Sequence, residues 1–328
     1  MKRTEISQFG EFGLIRHLTA DMPVCQASTE KGVGDDAAVL RIDDETAIAL
    51  TTDSNTIHTN LSPFDGAAGC VAEAIRNVVS MGATPYAVVD CLNFGNPEKP
   101  EILWQFKTAI EGMSLVAEKF EAPVISGNVS FYNEIEGIKI HPTPAVGVIG
   151  VENIENIRTM DFKNEGDKIL LIGKTYDELT GSEYHRSIHD LEKGVAPRIR
   201  VDDEVANAKT ILKLLDEDSE KDITAVHDVS AGGLAIALSE MVISSDLGCE
   251  VELTSDELDE NQLLYSESHG RYLMTVKADA LDDILSKIDV DVNVLGEVKG
   301  NILRINENEF SIEELKDSYY GVIEKYMA

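Results

Sequence analysis

Basic residues are scarce in this sequence: 28 lysines and arginines stand against 60 aspartates and glutamates, a formal charge of −32. Phosphate-backbone contact needs clustered cations, so the balance argues against a nucleic-acid partner. The same deficit means that a polyanionic ligand would have to be held by divalent cations or by backbone donors. Long apolar runs are missing too. No segment approaches a membrane span, and Met1-Lys-Arg-Thr-Glu5 lacks an apolar signal core, so the expectation is a cytoplasmic protein with no membrane partner. Cysteine is thin. Cys25, Cys70, Cys91 and Cys249 are far apart, without metal-type spacing, and are expected to be reduced thiols. The familiar nucleotide and nucleophile loops, Gly-x-x-x-x-Gly-Lys-Ser/Thr, Gly-x-Gly-x-x-Gly and Gly-x-Ser-x-Gly, are absent. Gly173-Lys-Thr175 has a P-loop ending, but Lys168 stands where the first glycine should be. Any nucleotide would therefore be held by acids, metal and backbone.

What is present is the composition of a soluble globular protein, 43% hydrophobic and 27% charged over 328 residues, long enough for two domains. The polar segment Glu152–Gly166 is the expected boundary, dividing 1–155 from 160–328. Both halves alternate strands with helices, which predicts an α/β or α+β fold. Expected strands include Ala37–Ile42, Thr46–Thr52, Tyr86–Val89, Ala122–Ile125, Lys168–Gly173 and Ile223–Asp228. Expected helices include Gly10–Leu18, Gly66–Met81, Ile102–Phe120 and Val201–Glu217, with a long loop over 180–199. Polar turns follow several strands. Gly34-Asp-Asp36 and Asp53 arrive at neighbouring strand ends, where carboxylates either converge on a hard cation or remain solvated turn residues. Asp90 to Glu101 reads as a strand-to-helix loop, and Ser126-Gly-Asn-Val-Ser130 as a glycine-bearing polar turn at a strand end. On the helix Gly66–Met81, Glu73 and Arg76 read as a solvated i, i+3 pair rather than as catalytic groups. Val229-Ser-Ala-Gly-Gly-Leu234 has the strand, glycine pair and helix start of an anion site, a geometry equally common without ligands.

Read together, these stretches resemble one family. Asp90-Cys-Leu-Asn-Phe-Gly-Asn-Pro-Glu-Lys-Pro-Glu101 with Trp104-Gln-Phe106, Ala72-Glu-Ala-Ile-Arg-Asn77, Ser126-Gly-Asn-Val-Ser-Phe-Tyr-Asn133 and Pro142-Thr-Pro144 are similar to the large subunit of phosphoribosylformylglycinamidine (FGAM) synthase. Gly181-Ser-Glu-Tyr184, His227-Asp-Val-Ser-Ala-Gly-Gly-Leu234 and Glu267-Ser-His-Gly-Arg271 continue the resemblance in order, over about residues 36–300, and correspond to the second of that subunit's two halves. Glu11-Phe-Gly-Leu-Ile-Arg16 with Gly34-Asp-Asp-Ala-Ala-Val-Leu40 is more similar to thiamine-monophosphate kinase. That kinase's Gly-Gly-Asp-Thr turn is replaced here by Gly127-Asn-Val-Ser130, which favours the synthase.

The resemblance implies a two-domain AIR-synthase-like fold, with an N-terminal sheet pairing into a barrel across a dimer and a C-terminal α/β domain. It implies ATP and Mg2+ as cofactors. Asp90, Asn93, Gly95 and Gly127 would bind nucleotide, and Asn128, Asp35, Asp36 and Asp53 would hold metal. Ser130, Gly232, Gly233, Glu267 and Ser268 would contact a small ribotide, although His269 replaces the family's glutamine. The implied reaction phosphorylates a formamide oxygen for displacement by ammonia. Ammonia would come from a separate glutaminase subunit, and the partner would be a second copy or another synthase half. No catalytic residue is assigned, because the family's first-half histidine segment is missing and His58 reads as a loop residue. A thiamine-monophosphate-kinase-like activity and a noncatalytic nucleotide-holding role are the alternatives.

Overall fold

The computed structural model describes residues 23–25 and 34–327. The helix expected over Gly10–Leu18, the kinase-like Glu11–Arg16 and the start of the Lys31 turn lie outside the described residues.

The first sheet has six strands in the order β1-β2-β3-β8-β4-β5. These are β1 (Pro23–Cys25), β2 (Ala38–Arg41), β3 (Thr46–Asp53), β4 (Thr84–Asn93), β5 (Val124–Ser130) and, after the hairpin β6 (Glu134–Ile135) and β7 (Ile138–Lys139), β8 (Thr143–Asn153). After β3 come α1 (Thr56–Leu61) and α2 (Pro63–Ser80), and α3 (Pro100–Lys119) joins β4 to the parallel β5. β3 and β4 both run antiparallel to β8, so they are parallel to each other. Right-handed crossovers then put α2 and α3 on the same face of the sheet. The other face stays open.

The second sheet has the order β10-β12-β9-β13-β11-β14-β15. Its strands are β9 (Lys168–Ile172), β10 (Ile223–Asp228), β11 (Cys249–Val251), β12 (Tyr272–Val276), β13 (Val292–Val298), β14 (Ile302–Ile305) and β15 (Asn308–Ser311). The helices here are α4 (Glu183–His189), α5 (Val201–Glu217), α6 (Gly233–Ser245), α7 (Glu260–Tyr265), α8 (Leu281–Ser286) and α9 (Ile312–Met327).

One hydrophobic cluster runs from the first sheet through α2 into α5 and one face of the second sheet; a smaller one fills the far side under α6. α2 is therefore buried nearly all round, as a helix lodged between two layers must be. It lies so close to β8 that a Cβ on Gly150 would fall 2.2 Å from Val78 Cγ1. Among the described residues no barrel closes within one chain: the first sheet is open, and its edge strand β5 is exposed at every position but the last.

Three expectations need correction. Asp90–Asn93 is strand, not loop, because β8 and β5 pair with β4 on both sides and hold polar residues extended. Ser126–Ser130 is likewise the body of β5. The long loop over 180–199 contains α4, capped by Ser182. Cys70, Cys91 and Cys249 are free thiols.

Between the sheets, Arg158 holds the connecting segment to the second domain. Its Nη2 donates to Asp218 Oδ2 at 2.8 Å and its Nε to the Ile223 carbonyl at 2.9 Å, with both side chains buried. Arg158→Met should therefore cost about 3 kcal/mol, since the Asp218 carboxylate keeps its burial and loses its cation. Urea unfolding measures this; a change within the scatter of surface substitutions would contradict it.

Candidate nucleotide and metal site

The polar edge of α2 does not face water. Arg76 is fully buried, with Nη1 2.8 Å from Glu204 Oε1 on α5, Nε 3.6 Å from Asp228 Oδ2 at the end of β10, and Nη2 3.8 Å from Glu73 Oε2. The solvated Glu73–Arg76 pair expected from the sequence is thus corrected: the second domain docks on that face and encloses it. Burial alone would lower the Arg76 pKa, but the three carboxylates around it reverse the effect and raise it.

Asp36 meets the same junction. Its Oδ1 lies 2.7 Å from His227 Nδ1, and its Oδ2 accepts the Asp228 N–H at 3.2 Å. His227 Nε2 lies 3.3 Å from Glu240 Oε2 on α6. Both ring nitrogens face carboxylates, so both serve as donors and His227 is held as a cation, its pKa raised by Asp36 and Glu240 against the cost of burial. Among the described residues, Asp36, His227 and Asp228 form a group whose ligand atoms all lie within 4.8 Å of one another.

Acids dominate here. Burial, and then the charge of Glu73, push Asp53 well above the usual carboxylate range. Burial, then Asp228, push Glu73 to about 8, and burial, then Asp36, push Asp228 to about 7. Asp53 Oδ2, Asp228 Oδ2 and Glu204 Oε2 have no hydrogen-bond partner. Asp36 and Asp228 bring carboxylate oxygens within 4.8 Å of each other, and Asp228 Oδ2 has no hydrogen-bond partner, so this pair fits a hard divalent cation such as Mg2+.

The open sheet face beside Asp36 forms a concave cavity of about 710 Å³. Leu50, Val89, Ile125 and Ile149 give it apolar walls, while Asp35, Asp36 and Asn77 give it one polar end.

The remaining predicted residues fall into two other places. Asp90 lies in register with Gly127, so close that a Cβ on Gly127 would meet Asp90 Oδ1 at 2.3 Å. Asn128 pairs with Cys91 and Ser130 with Asn93 on this same edge. Asn93 Nδ2 donates to the Cys91 carbonyl, Gly95 accepts from the Tyr132 N–H, and the Ser130 hydroxyl donates to Asn133 Oδ1. Asp53 and Asp90 share one row across the sheet through Val146, but two strand spacings, about 10 Å, separate them. Four spacings, about 19 Å, separate β2, next to Asp36, from β5. One metal shell combining Asn128 with Asp35, Asp36 and Asp53 is therefore not assembled within a single chain. The third place is the second domain, where Gly232 and Gly233 open α6 and Glu267 and Ser268 are buried beside them. His58, expected in a loop, is a buried residue of α1 that reaches Glu267 at 3.1 Å.

Sequence reasoning missed His227, Asp228, Glu204 and Glu240 as site residues. A His-Asp pair ending a buried strand before a glycine turn was the available signal for the first two. Nothing in the sequence alone marked Glu204 or Glu240.

Two family models match the chain consecutively: "AIR synthase related protein, N-terminal domain" over 34–151 and "AIR synthase related protein, C-terminal domain" over 164–304. The chain belongs to the AIR synthase related proteins. Phosphoribosylformylglycinamidine synthase subunit PurL of Methanobrevibacter smithii is 77% identical over 307 residues, which are 92% of this chain and 43% of that protein. The chain thus spans less than half the length of this curated relative. Thermotoga maritima PurL complexed with FGAR superimposes with a TM-score of 0.75 at 21% identity, over 94% of this chain and 50% of that one. The structure of PurLQS from Thermotoga maritima matches with a TM-score of 0.71 at 22% identity, over 85% of this chain and 46% of that one. At these identities the structural likeness establishes the fold, two α/β domains in succession.

The Glu73 carboxyl carries a pH signature. Its folded pKa of about 8 stands above the ordinary 4.5, so the unfolded chain releases this proton first and metal-free stability falls as pH rises from about 4.5 to about 8. His227 acts in the same direction, its contribution present below its unfolded pKa and lost as pH rises through the raised folded one. Glu73→Gln should therefore shrink the drop in urea midpoint between pH 5 and pH 8 measured in EDTA. An undiminished drop would contradict the assignment.

Proposed function

We propose that the chain supplies the second-half portion of a PurL-type FGAM synthase, an ATP-dependent carbon–nitrogen ligase of purine biosynthesis, and that it holds a Mg2+–nucleotide where the open sheet face meets the domain junction. The observation that carries the reading is the gathering of Asp36, His227 and Asp228, of which Asp36 lines the polar end of the concave cavity. The 77% identity with the M. smithii subunit over most of this chain supports it.

Each residue has a definable part in this reading. Asp36 and Asp228 offer oxygen ligands, with Glu73 and Asp53 as further acids of the same junction and Asp35 and Asn77 at the rim. Leu50, Val89, Ile125 and Ile149 offer the apolar surface that an adenine ring needs. His227, pinned by Glu240, and Arg76 keep the acids from repelling one another apart before a cation arrives. Magnesium, when bound, neutralises charge on the phosphoryl group being transferred. In the ligase reaction that group passes to a formamide oxygen and is then displaced by ammonia.

The bare edge β5 supports a second part of the proposal. An exposed strand carrying Val124, Ile125 and Val129 is a template for pairing with another sheet. With a second copy or another synthase half joined there, the two sheets would close into a barrel. Asp90, Asn93, Gly95, Gly127, Asn128 and Ser130 would then face a nucleotide and a ribotide lying across the seam. Such an arrangement gives Asn128 a metal shared with the partner's acids rather than with Asp36 of its own chain. A glutaminase subunit supplying ammonia completes the set of partners, in keeping with the PurLQS assembly of T. maritima. Residues 1–155 are the nucleotide-holding domain in this scheme and 160–328 the covering one.

Titration calorimetry tests the nucleotide site. The wild-type chain should bind ADP with Mg2+ and lose it in EDTA. Asp228→Asn should weaken binding at least about tenfold, the scale on which even outer-shell partners of a metal act. Equal binding by Asp228→Asn, or no binding by wild type at any Mg2+ concentration, would contradict the reading.

A further inference from the structure

The glycine turn that opens α6 has the look of a vacant anion site, yet its donor is already engaged. Gly232 leads into a 13-residue helix with φ at 78°. Its N–H donates at 2.8 Å to Glu267 Oε1, and the same oxygen accepts the Glu183 N–H at 2.7 Å. Glu267 Oε2 lies 3.1 Å from His58 Nε2, and that nitrogen is also 3.1 Å from the Gly181 carbonyl oxygen. Both neighbours of Nε2 are acceptors, so Nε2 carries the hydrogen.

A carboxylate only 4% exposed therefore takes two backbone N–H donors, at the starts of α4 and α6, with the His58 ring of α1 3.1 Å from its other oxygen. Such converging donors would otherwise grip a phosphate. The neighbouring groups offer no replacement. The Gly233 N–H closes a turn on the Ser230 carbonyl at 3.0 Å, and the Ser268 hydroxyl accepts the Tyr176 N–H at 3.0 Å.

We propose that Glu267 is a built-in plug of this anion site, so that this half of the protein is closed there to the phosphate of a ribotide. Gly232, Glu267 and Ser268 then serve as closure rather than as substrate contacts. The proposal deepens the nucleotide reading, because the ligand left to this half is the one at the sheet face. Its evidence is separate: the two hydrogen bonds and the His58 contact of Glu267 stand whether or not a nucleotide binds.

The test uses the full chain and inorganic phosphate at constant ionic strength. In wild type, the amide resonances of Gly232 and Glu183 and the His58 Nε2–H should not move with phosphate. Glu267→Ala frees the donors, so phosphate should shift those three signals and raise the thermal midpoint, with an affinity at least about tenfold above any shown by wild type. Glu267→Gln fills the same space and should gain nothing. Phosphate-dependent shifts of these signals in wild type, or a folded Glu267→Ala with no gain, would overturn the proposal. Should Glu267→Ala fold only when phosphate is added, the plug is supported. Failure to fold at any phosphate concentration counts against it, because a filled site restores the lost bonds. Mg2+–ADP binding by wild type is read in parallel, and its absence removes the nucleotide reading without touching the phosphate result.

Discussion

A guanidinium withdrawn completely from water needs carboxylates around it, and the placing of Arg76 between the two sheets draws the rest of the junction together. Glu204 comes from α5, Asp228 from the end of β10 and Glu73 from the arginine's own helix. Glu204 and Asp228 each fix an element of the second domain against α2 of the first. The carboxylates outnumber the cations nonetheless. Asp36, Asp53 and Glu240 join the three around Arg76, while among the described residues His227 is the further cationic group in direct contact with them. In a low-dielectric setting the excess is relieved by protons, and that is the physical content of the raised values at Glu73 and Asp228. A divalent cation relieves it better. Fold and ligand site thus have the same cause: the junction that holds the domains together is also the place that lacks positive charge.

The second constraint is the open sheet. Helices cover one face only, because successive right-handed crossovers deposit α2 and α3 on the same side. Among the described residues what remains is a concave apolar face and the edge strand β5, which carries the polar residues of the Gly127 stretch beside those of Asp90–Asn93 on β4. Those residues make few contacts inside their own chain. Their exposure accounts for how a loop-like composition can persist in a β-strand, and it divides the polar groups into an interior set at Asp36 and an edge set at Asn128.

Much of this was legible from residue patterns. α2 and α5 announced themselves by helical spacing, β10 by its apolar run, and the synthase resemblance by Asp90 to Glu101 and Ser126 to Asn133. Patterning failed where another layer of the same protein acts. Glu73 and Arg76 occupy the polar side of an amphipathic helix, which reads as solvent-facing until a second domain covers it. His58 read as loop because α1 is only six residues long, too short to show a period. Asp90–Asn93 read as loop because ladder partners, not side-chain apolarity, keep β4 extended. Asp36 and Asp53 stand at neighbouring strand ends, as their positions in the sequence suggest, but the partners of Asp36, His227 and Asp228, lie almost two hundred residues away in the chain, a pairing that spacing cannot express.

The central claim is that the carboxylates crowded around Arg76 and His227 exist to receive a cation with its nucleotide. Manganese, which takes the same oxygen ligands as magnesium, locates the ion by anomalous scattering in crystals grown with ADP. The account predicts a peak at coordinating distance from Asp36 and Asp228, with the nucleotide lying along Leu50, Val89 and Ile125. A peak held by Asn128 alone, with Asp36 still bonded to His227 and Asp228 and no density on the concave face, would contradict it.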